Sequence, residues 1–332
     1  RTSHFIVLFA VFALFPPWNA WAESPSAEAE TDRLFGEVKP LMEQGRHEDA
    51  LDAVNRAIDL NPVAEGFAVR ASVLLEMERI PAAAADADEA IRRGDRSSLP
   101  YVIRGVCYEQ MGDTNHSLSL FTQATDLHPL DPLPLLRRAV VWIRLDQYAL
   151  AEADLNRAVE LDPNAEAYQL RALCRGRRER REEAMADIEA ALRLDPRNID
   201  VLTLKAMLQI DLRKFGEGIA GLRQAIEIAP ERLDLRARYA FLLATCEDES
   251  ARNLEEATHE ATRCCEETQW RDCQALALLA TTYAQRGDFE EAVRIQERAL
   301  AAAPAAAKTE MAERVVMYQQ GQTPYPLDSS LP

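Results

Sequence analysis

Small residues recur along the chain at intervals of 33 to 39 positions. Each is followed seven positions later by a second small residue, and the pairs are Ala50 and Ala57, Ala83 and Ala90, Ser117 and Ala124, Ala151 and Ala158, Ala184 and Ala191, Gly218 and Ala225, Ala257 and Cys264, and Ala292 and Ala299. Residues seven apart share one face of a helix, and small side chains on that face let a second helix approach closely. The pattern therefore predicts a series of packed helix pairs.

Prolines and turn residues mark where the predicted helices end. A proline closes most of the units, because proline cannot continue a helix; these prolines are Pro62, Pro129, Pro163, Pro196, Pro230 and Pro304. Turn-forming pairs lie between the two helices of a unit, at residues 45–46, 112–113, 146–147 and 287–288. Such pairs fit the end of one helix and the start of the next. The repeating unit is predicted to be helix, tight turn, helix.

A helix pair with a period of 34 residues is typical of the tetratricopeptide repeat. Residues 287–292, Gly-Asp-Phe-Glu-Glu-Ala, and residues 158–163, Ala-Val-Glu-Leu-Asp-Pro, resemble its consensus closely. The resemblance covers residues 31–304 as eight repeats, which start near residues 31, 64, 98, 132, 165, 199, 233 and 273. It implies an all-α fold, a right-handed solenoid of antiparallel helix pairs.

The segments after the last repeat are predicted from their own pattern. Residues 305–320 have apolar positions at helical spacing, so we expect them to form a helix that caps the array. Residues 321–332 contain three prolines and few residues that could pack, so we expect an extended or disordered tail.

Two repeats depart from the common pattern. Asp95 replaces the closing proline of repeat two, and repeat seven carries extra residues in its inter-helix turn, between Cys246 and Asn253. From repeat seven onward, the succession of residues 242–246, 261–265, Trp270, 284–289 and 317–325 resembles the C-terminal repeat module common in tetratricopeptide proteins of planctomycete bacteria. This resemblance implies a lineage and no particular activity.

The first 22 residues follow a different pattern. Residues 1–4 are polar, residues 5–15 are apolar, and residues 20–22 read Ala-Trp-Ala, a cleavage site typical of a secretory signal. We expect a cleaved signal peptide at 1–22 and a short linker at 23–30, hence a mature protein without a membrane span in the periplasm, the cell envelope or the medium. The alternative is an uncleaved signal that anchors the chain, although a membrane span needs about 20 apolar residues.

The charge balance is acidic, with 55 Asp and Glu against 38 Lys and Arg and a formal net charge of −17. Such a balance argues against nucleic acid as a partner. A basic cluster around the turn of repeat five is the local exception and contains Arg171, Arg175, Arg177, Arg178, Arg180 and Arg181. An anionic partner could bind there. Alternatively, the cluster is a solvated turn whose charge is offset by neighbouring glutamates.

The sequence contains none of the common phosphate-binding, dinucleotide-binding, nucleophile-elbow or zinc-protease motifs. His259 is near Cys264, Cys265 and Cys273, but these residues lack the C-x-x-C spacing of zinc sites. We therefore predict a protein that is not an enzyme and that holds neither a metal nor a cofactor.

Six cysteines in a chain that is expected to be exported raise the question of disulfides. Cys265 should end one helix and Cys273 should begin the next, so a bridge between them would close a short loop. Spacing alone leaves a Cys265–Cys273 disulfide and reduced thiols equally open.

The family resemblance places ligands on the concave surface, at positions two, five, nine, twelve and thirteen of each first helix. The candidates at these positions in repeats three, four, six and seven are Val102, Val106, Leu136, Val140, Ile143, Arg144, Met207, Ile210 and Phe241. A mainly apolar surface of this kind suits a peptide or protein segment. Arg144 and Arg177 could contact an acidic residue of that ligand. Alternatively, some of the apolar side chains belong to the core.

The sequence thus predicts a non-catalytic scaffold or adaptor of the cell envelope that binds a protein or peptide in its concave groove. One alternative is an accessory or regulatory subunit of an enzyme system, for example one of glycosyl transfer. Another is a self-assembling structural protein, a homo-oligomer in which the groove receives a second copy.

Overall fold

The fold is all-α, as the sequence predicts. The computed structural model describes residues 27–325, and these residues form α-helices and two short 3-10 helices, with no strand among them. The predicted signal peptide at 1–22, the first part of the predicted linker and residues 326–332 lie outside the described residues. None of the helices in the described range has the length and apolar character of a membrane span.

The chain divides into two compact units, Arg1–Arg180 and Arg181–Pro332. The helices of the N-terminal unit are α1 (Ala27–Glu43), α2 (His47–Leu60), α3 (Ala64–Glu76), α4 (Ile80–Arg92), α5 (Leu99–Gln110), α6 (Thr114–Leu127), α7 (Pro132–Arg144), α8 (Tyr148–Leu161) and α9 (Ala165–Arg177). Those of the C-terminal unit are α10 (Arg181–Leu194), α11 (Ile199–Asp211), α12 (Phe215–Ile228), α13 (Leu233–Thr245), α14 (Leu254–Glu267), α15 (Cys273–Gln285), α16 (Phe289–Ala302) and α17 (Lys308–Gln319).

The recurring small residues lie where the helices pack. In the N-terminal unit Ala50, Ala83, Ala151 and their partners seven positions later are all buried. Ala257, Ala292 and their partners are buried in the C-terminal unit as well. Because these side chains are short, α1 packs closely against α2, α3 against α4, and so on along each unit.

Most turns between paired helices contain one residue with a left-handed backbone. Glycine provides it at Gly45, Gly112 and Gly287, but Glu78 and Arg213 provide it elsewhere. The turn after α3 shows why the conformation recurs. The N–H of Glu78 donates to the carbonyl of Leu75 at 3.0 Å and that of Arg79 to the carbonyl of Leu74 at 2.9 Å. These two bonds satisfy carbonyls that the helix end would otherwise leave open.

Replacing Glu78 by glycine is expected to stabilise the N-terminal unit by about 0.5–1 kcal/mol. Glu78 is exposed and has φ of 58°. This backbone conformation costs free energy for a residue with a Cβ but not for glycine. Urea unfolding followed by circular dichroism measures the change. Glu78→Ala keeps the Cβ and is the matched control, so an equal gain for Ala and Gly would contradict the backbone explanation.

An arginine of a first helix also forms hydrogen bonds with two second helices, the one of its own repeat and the one of the preceding repeat. Arg138 of α7 donates to Asp154 of α8 at 2.7 and 2.8 Å and to Thr122 of α6 at 3.0 Å. Arg70 of α3 makes the equivalent contacts, to Asp86 of α4 at 2.6 Å and to Asn55 of α2 at 3.0 Å. Each arginine thereby joins its own repeat to the preceding one.

A tyrosine has the same role in the C-terminal unit. Tyr239 of α13 donates to Glu256 of α14 at 2.6 Å and accepts a hydrogen bond from Arg223 of α12 at 2.9 Å. The irregular turn of this repeat, between α13 and α14, contains the 3-10 helix Glu249–Ala251.

The two ends of the repeats differ from the expected boundaries. The first helix begins at Ala27, inside the segment expected to be a linker. The capping segment consists of the 3-10 helix Ala305–Ala307 and of α17, which packs against α16 through the buried side chains of Met311 and Tyr318. Residues 321–325, expected to be extended or disordered, form neither helix nor strand, and they contact the C-terminal unit.

Candidate functional site

Three of the predicted groove residues are not available to a ligand. Val102 and Val106 of α5 lie in an apolar core that also contains Phe121 of α6, and Leu136 of α7 lies in a core with Leu155 of α8. All are at most 7% exposed. Position five of the first helix, and in α5 position nine as well, therefore faces the partner helices, because the apolar stripe of a packed helix is wide and its edge turns toward the core.

The remaining candidates of the N-terminal unit lie at or near the surface. Val140 and Ile143 of α7 are half-buried, and Arg144 is exposed. The guanidinium Nη1 of Arg144 lies 3.1 Å from Oε1 of Glu109 on α5, so this arginine is an ion-pair partner within the chain. Arg177 at the end of α9 is exposed.

A buried charge lies where the first helices of the N-terminal unit meet. Arg137 of α7 is 7% exposed, and three glutamates of other first helices act on it electrostatically, namely Glu166 of α9, Glu109 of α5 and Glu76 of α3. Burial holds the pKa of the Arg137 guanidinium below its usual value, and the three carboxylates act in the opposite direction. A guanidinium stays protonated in proteins, so the cluster contains a buried positive charge.

The carboxylates of this cluster are also affected by burial. Burial raises the pKa of both Glu76 and Glu166, and the charge of Arg137 only partly opposes it. We call the side chains of Glu76, Glu109, Arg137 and Glu166 the inner charge cluster. Together with Arg144, which forms an ion pair with Glu109, it contains three carboxylates and two guanidiniums, a formal charge of −1.

The sequence analysis missed the inner charge cluster for a specific reason. Glu76, Glu109 and Glu166 occupy positions thirteen, twelve and two of their repeats, which are ligand-facing positions of the family, but the candidates predicted at these positions are apolar residues and two arginines, without any carboxylate. Arg137 is one residue beyond the position that Leu136 occupies. A search for charged residues at the same positions would have found the three glutamates.

The basic cluster of repeat five is organised around one carboxylate. Glu152 of α8 is 3% exposed, and its Oε1 accepts from Arg175 Nε at 3.0 Å and from Arg180 Nη1 at 2.5 Å. Arg178 donates to the other carboxylate oxygen. Burial alone would raise the pKa of Glu152, but the hydrogen bond from Arg175 and the charges of Arg180, Arg175 and Arg178 outweigh it and hold the pKa below its usual range. The cluster thus ties α9 and the following turn to α8.

The predicted groove residues of the C-terminal unit differ in how accessible they are to a ligand. Ile210 of α11 packs against the backbone of Gly218 in α12, and Met207 is half-buried. Phe241 of α13 is 37% exposed. Its ring lies edge-on against that of Tyr325, with 5.2 Å between the centroids. A segment of the chain itself therefore contacts this part of the predicted groove.

The six cysteines are free thiols in the structure. Cys265 is fully buried and Cys273 is partly exposed, and burial raises the pKa of the Cys265 thiol to about 12. A disulfide between them is not formed here and stays a prediction. Within residues 27–325, no group of three or more His, Cys, Asp or Glu residues is arranged to hold a metal ion.

Family models for the tetratricopeptide repeat match residues 36–98 and 104–166, residues 165–198, and residues 275–310. Together these ranges cover more than half of the chain. The chain belongs to the tetratricopeptide repeat family. Tetratricopeptide repeat proteins are generally non-catalytic, and membership supports a scaffold for protein–protein interactions.

This tetratricopeptide protein is similar to two curated proteins and to one solved structure. It is 28% identical to RNA polymerase II-associated protein 3 from Homo sapiens over 134 residues, 40% of this chain and 19% of the relative. It is 23% identical to the mitochondrial import receptor subunit TOM70 from Homo sapiens over 292 residues, 84% of this chain and 47% of the relative. The chain thus spans less than half the length of these relatives. The APC/C hetero-tetramer Cut9–Hcn1 matches with a TM-score of 0.63 at 12% identity, covering 86% of this chain and 56% of that chain, which shows the fold alone.

Proposed function

We propose that this tetratricopeptide protein is a non-catalytic adaptor of the cell envelope that binds an extended or helical protein segment on the first helices of its N-terminal unit. The observation that carries the proposal is the inner charge cluster beside half-buried apolar side chains. Arg137, Val140 and Arg144 are spaced at i, i+3 and i+7, so they share one face of α7. Apolar surface beside arginine side chains on one face is typical of interaction sites.

The charges of the cluster favour a particular chemistry in the ligand. Glu76 and Glu166 ionise less readily than free glutamates because burial disfavours their charged forms. A lysine, an arginine or a backbone N–H of the ligand would offset that penalty, since it would supply a donor next to each carboxylate. Val140 and Ile143 would contact an apolar anchor. We therefore propose a ligand segment that combines an apolar anchor with a basic residue.

The location in the cell envelope rests on the signal-like pattern of residues 1–22. An adaptor exported by such a signal would meet other exported or membrane-attached proteins. A fusion of residues 1–30 to a periplasmic reporter tests this part of the proposal separately, and a reporter that stays inside the cell would refute it.

The substitutions Val140→Asp and Ile143→Asp together are expected to reduce partner recovery at least about tenfold in a crosslinked pull-down from envelope extract, because they place charge where the apolar anchor would bind. The control is Leu127→Asp with Leu150→Asp, which changes two exposed leucines of the second helices α6 and α8. Circular dichroism and the melting temperature of each variant verify the fold. If the double variant does not fold, Val140→Thr supplies a polar group of nearly the same shape. Equal recovery by wild type and by a folded variant would move ligand binding away from α7.

A further inference from the structure

The chain turns back sharply after the capping helix α17. The N–H of Gly321 donates to the carbonyl of Tyr318 at 3.0 Å and the N–H of Gln322 to the carbonyl of Met317 at 2.9 Å. This pair of bonds is the Schellman ending of a helix, and it requires the left-handed backbone that Gly321 adopts with φ of 67°. The turn therefore sets the direction in which residues 322–325 leave the helix.

Residues 322–325, which we call the C-terminal strap, contact two first helices of the C-terminal unit. The ring of Tyr325 meets that of Phe241 on α13 at an interplanar angle of 85°, the edge-to-face geometry that aromatic pairs favour. The side-chain Nε2 of Gln285 on α15 donates to Oγ1 of Thr323 at 3.4 Å. The same hydroxyl accepts from the N–H of Tyr325 at 3.4 Å, so Thr323 and Tyr325 are held on the two sides of Pro324.

The surface under the strap is suited to bind a peptide. Phe241 is an aromatic residue on a first helix and keeps 37% of its surface exposed even with the strap in place. Gln285 is fully buried, and its Oε1 has no hydrogen-bond partner among the residues that the structure describes. A buried amide oxygen without a donor is unfavourable, and the docked strap leaves it so, hence an external segment that places an N–H there would gain a hydrogen bond that the strap does not make. The site thus offers an aromatic contact, a donor and an open acceptor.

We propose that Phe241 and Gln285 form a peptide-binding site for segments of the type Thr-Pro-Tyr, and that the C-terminal strap occupies this site in cis and competes with an external segment. A tethered segment has a high effective concentration, so the strap is an efficient competitor without tight intrinsic binding. An external peptide then binds only the fraction of molecules in which the strap is released, which weakens its apparent affinity by that fraction. The site belongs to the C-terminal unit and does not depend on ligand binding by the N-terminal unit.

The competition is tested with the full chain and a fluorescent synthetic peptide of the sequence of residues 321–332. Fluorescence anisotropy is expected to show binding to Tyr325→Ala that is about tenfold tighter than to the wild type, because loss of the Tyr325 ring releases the strap. Adding Phe241→Ala to this variant should abolish binding. Adding Trp270→Ala should not, although Trp270 is an aromatic residue of nearly the same exposure, 36%, in the same unit. Equal affinity for wild type and Tyr325→Ala, or no binding to either, would overturn the proposal.

The strap itself is tested by hydrogen exchange followed by mass spectrometry. The C-terminal peptide of the wild-type chain should exchange more slowly than in Phe241→Ala and as slowly as in Trp270→Ala. Exchange of the wild-type strap at the rate of a free peptide would contradict docking. Light scattering over a dilution series distinguishes the source of the strap. A wild-type dimer that Tyr325→Ala dissociates would assign the strap to a second copy and overturn binding in cis. None of these outcomes depends on the Val140 and Ile143 variants, so the two proposals fail separately.

Discussion

The substitution Glu152→Gln is expected to lower the free energy of unfolding of the N-terminal unit by about 3 kcal/mol. Glu152 is nearly inaccessible to solvent, and its carboxylate accepts hydrogen bonds from Arg175, Arg178 and Arg180. The glutamine keeps the shape but removes the negative charge, so three guanidiniums would face one another without a counter-charge. Removing one partner of a buried ion pair is strongly destabilising for this reason, whereas an exposed pair contributes little.

The effect of Glu152→Gln should depend on pH with a defined sign. The pKa of Glu152 is lower in the folded protein than in the unfolded chain, since the arginines outweigh the effect of burial. The carboxylate therefore stabilises the fold fully above its unfolded pKa of about 4.3, and this contribution is lost as the pH falls through the lower folded pKa. Wild type and variant should differ at pH 7 and converge in acid.

Urea unfolding at neutral and at acidic pH measures both parts of this prediction. The matched control is Glu160→Gln, an exposed glutamate of the same helix α8, which should change the stability by no more than about 0.5 kcal/mol. Equal losses for Glu152→Gln and Glu160→Gln would show that the three arginines do not need the buried carboxylate. The turn would then be a solvated basic surface, the alternative that the sequence left open.

The sequence could predict the fold because the packing rule is local. Ala151 and Ala158 lie seven residues apart on one helix, and their burial against α7 follows from that spacing and their size. The closing prolines end helices by their own chemistry, whatever surrounds them. A fold of repeated local units therefore leaves a strong signal in a single sequence.

The candidate site could not be predicted equally well, because its residues depend on contacts between distant helices. Val102 and Leu136 have the same helical spacing as surface residues. Whether they are buried or exposed depends on the helices that pack against them. A buried charge such as Arg137 has no signature in sequence, since its burial and the three carboxylates that act on it come from the packing of separate helices. The C-terminal strap has the composition of a disordered tail, and only its contact with Phe241 reveals its place.

Gly218→Ala is the second substitution for which a large effect is expected, and here sequence and structure disagree in sign. Gly218 occupies the small position of repeat six, at which the other repeats have Ala50, Ala83, Ser117, Ala151, Ala184, Ala257 and Ala292. Helix propensity and the pattern of the other repeats both predict that alanine would stabilise α12, by about 1 kcal/mol. The structure predicts a loss of about 2 kcal/mol, the range typical of overpacking.

The reason is the close approach of α11. A Cβ added at Gly218 would lie 2.5 Å from Cγ1 of Ile210 and 2.8 Å from the backbone oxygen of Ala206. The isoleucine side chain can rotate, but the carbonyl can move only if α11 shifts as a whole. Shortening Ile210 as well should therefore not relieve the steric overlap with the carbonyl of Ala206. The combined Gly218→Ala, Ile210→Ala variant should be less stable than Ile210→Ala alone.

Gly216→Ala is the matched control for Gly218→Ala. Gly216 lies in the same helix, and a Cβ there would meet nothing within 4 Å. This variant should show no loss and a gain of up to about 1 kcal/mol in urea unfolding, because only helix propensity changes. Stabilisation by both alanines would show that α11 and α12 separate without strain, and that the small position of repeat six is glycine for a reason other than packing. Opposite signs would show that the close contact of α11 with α12 is specified by the absence of a single methyl group.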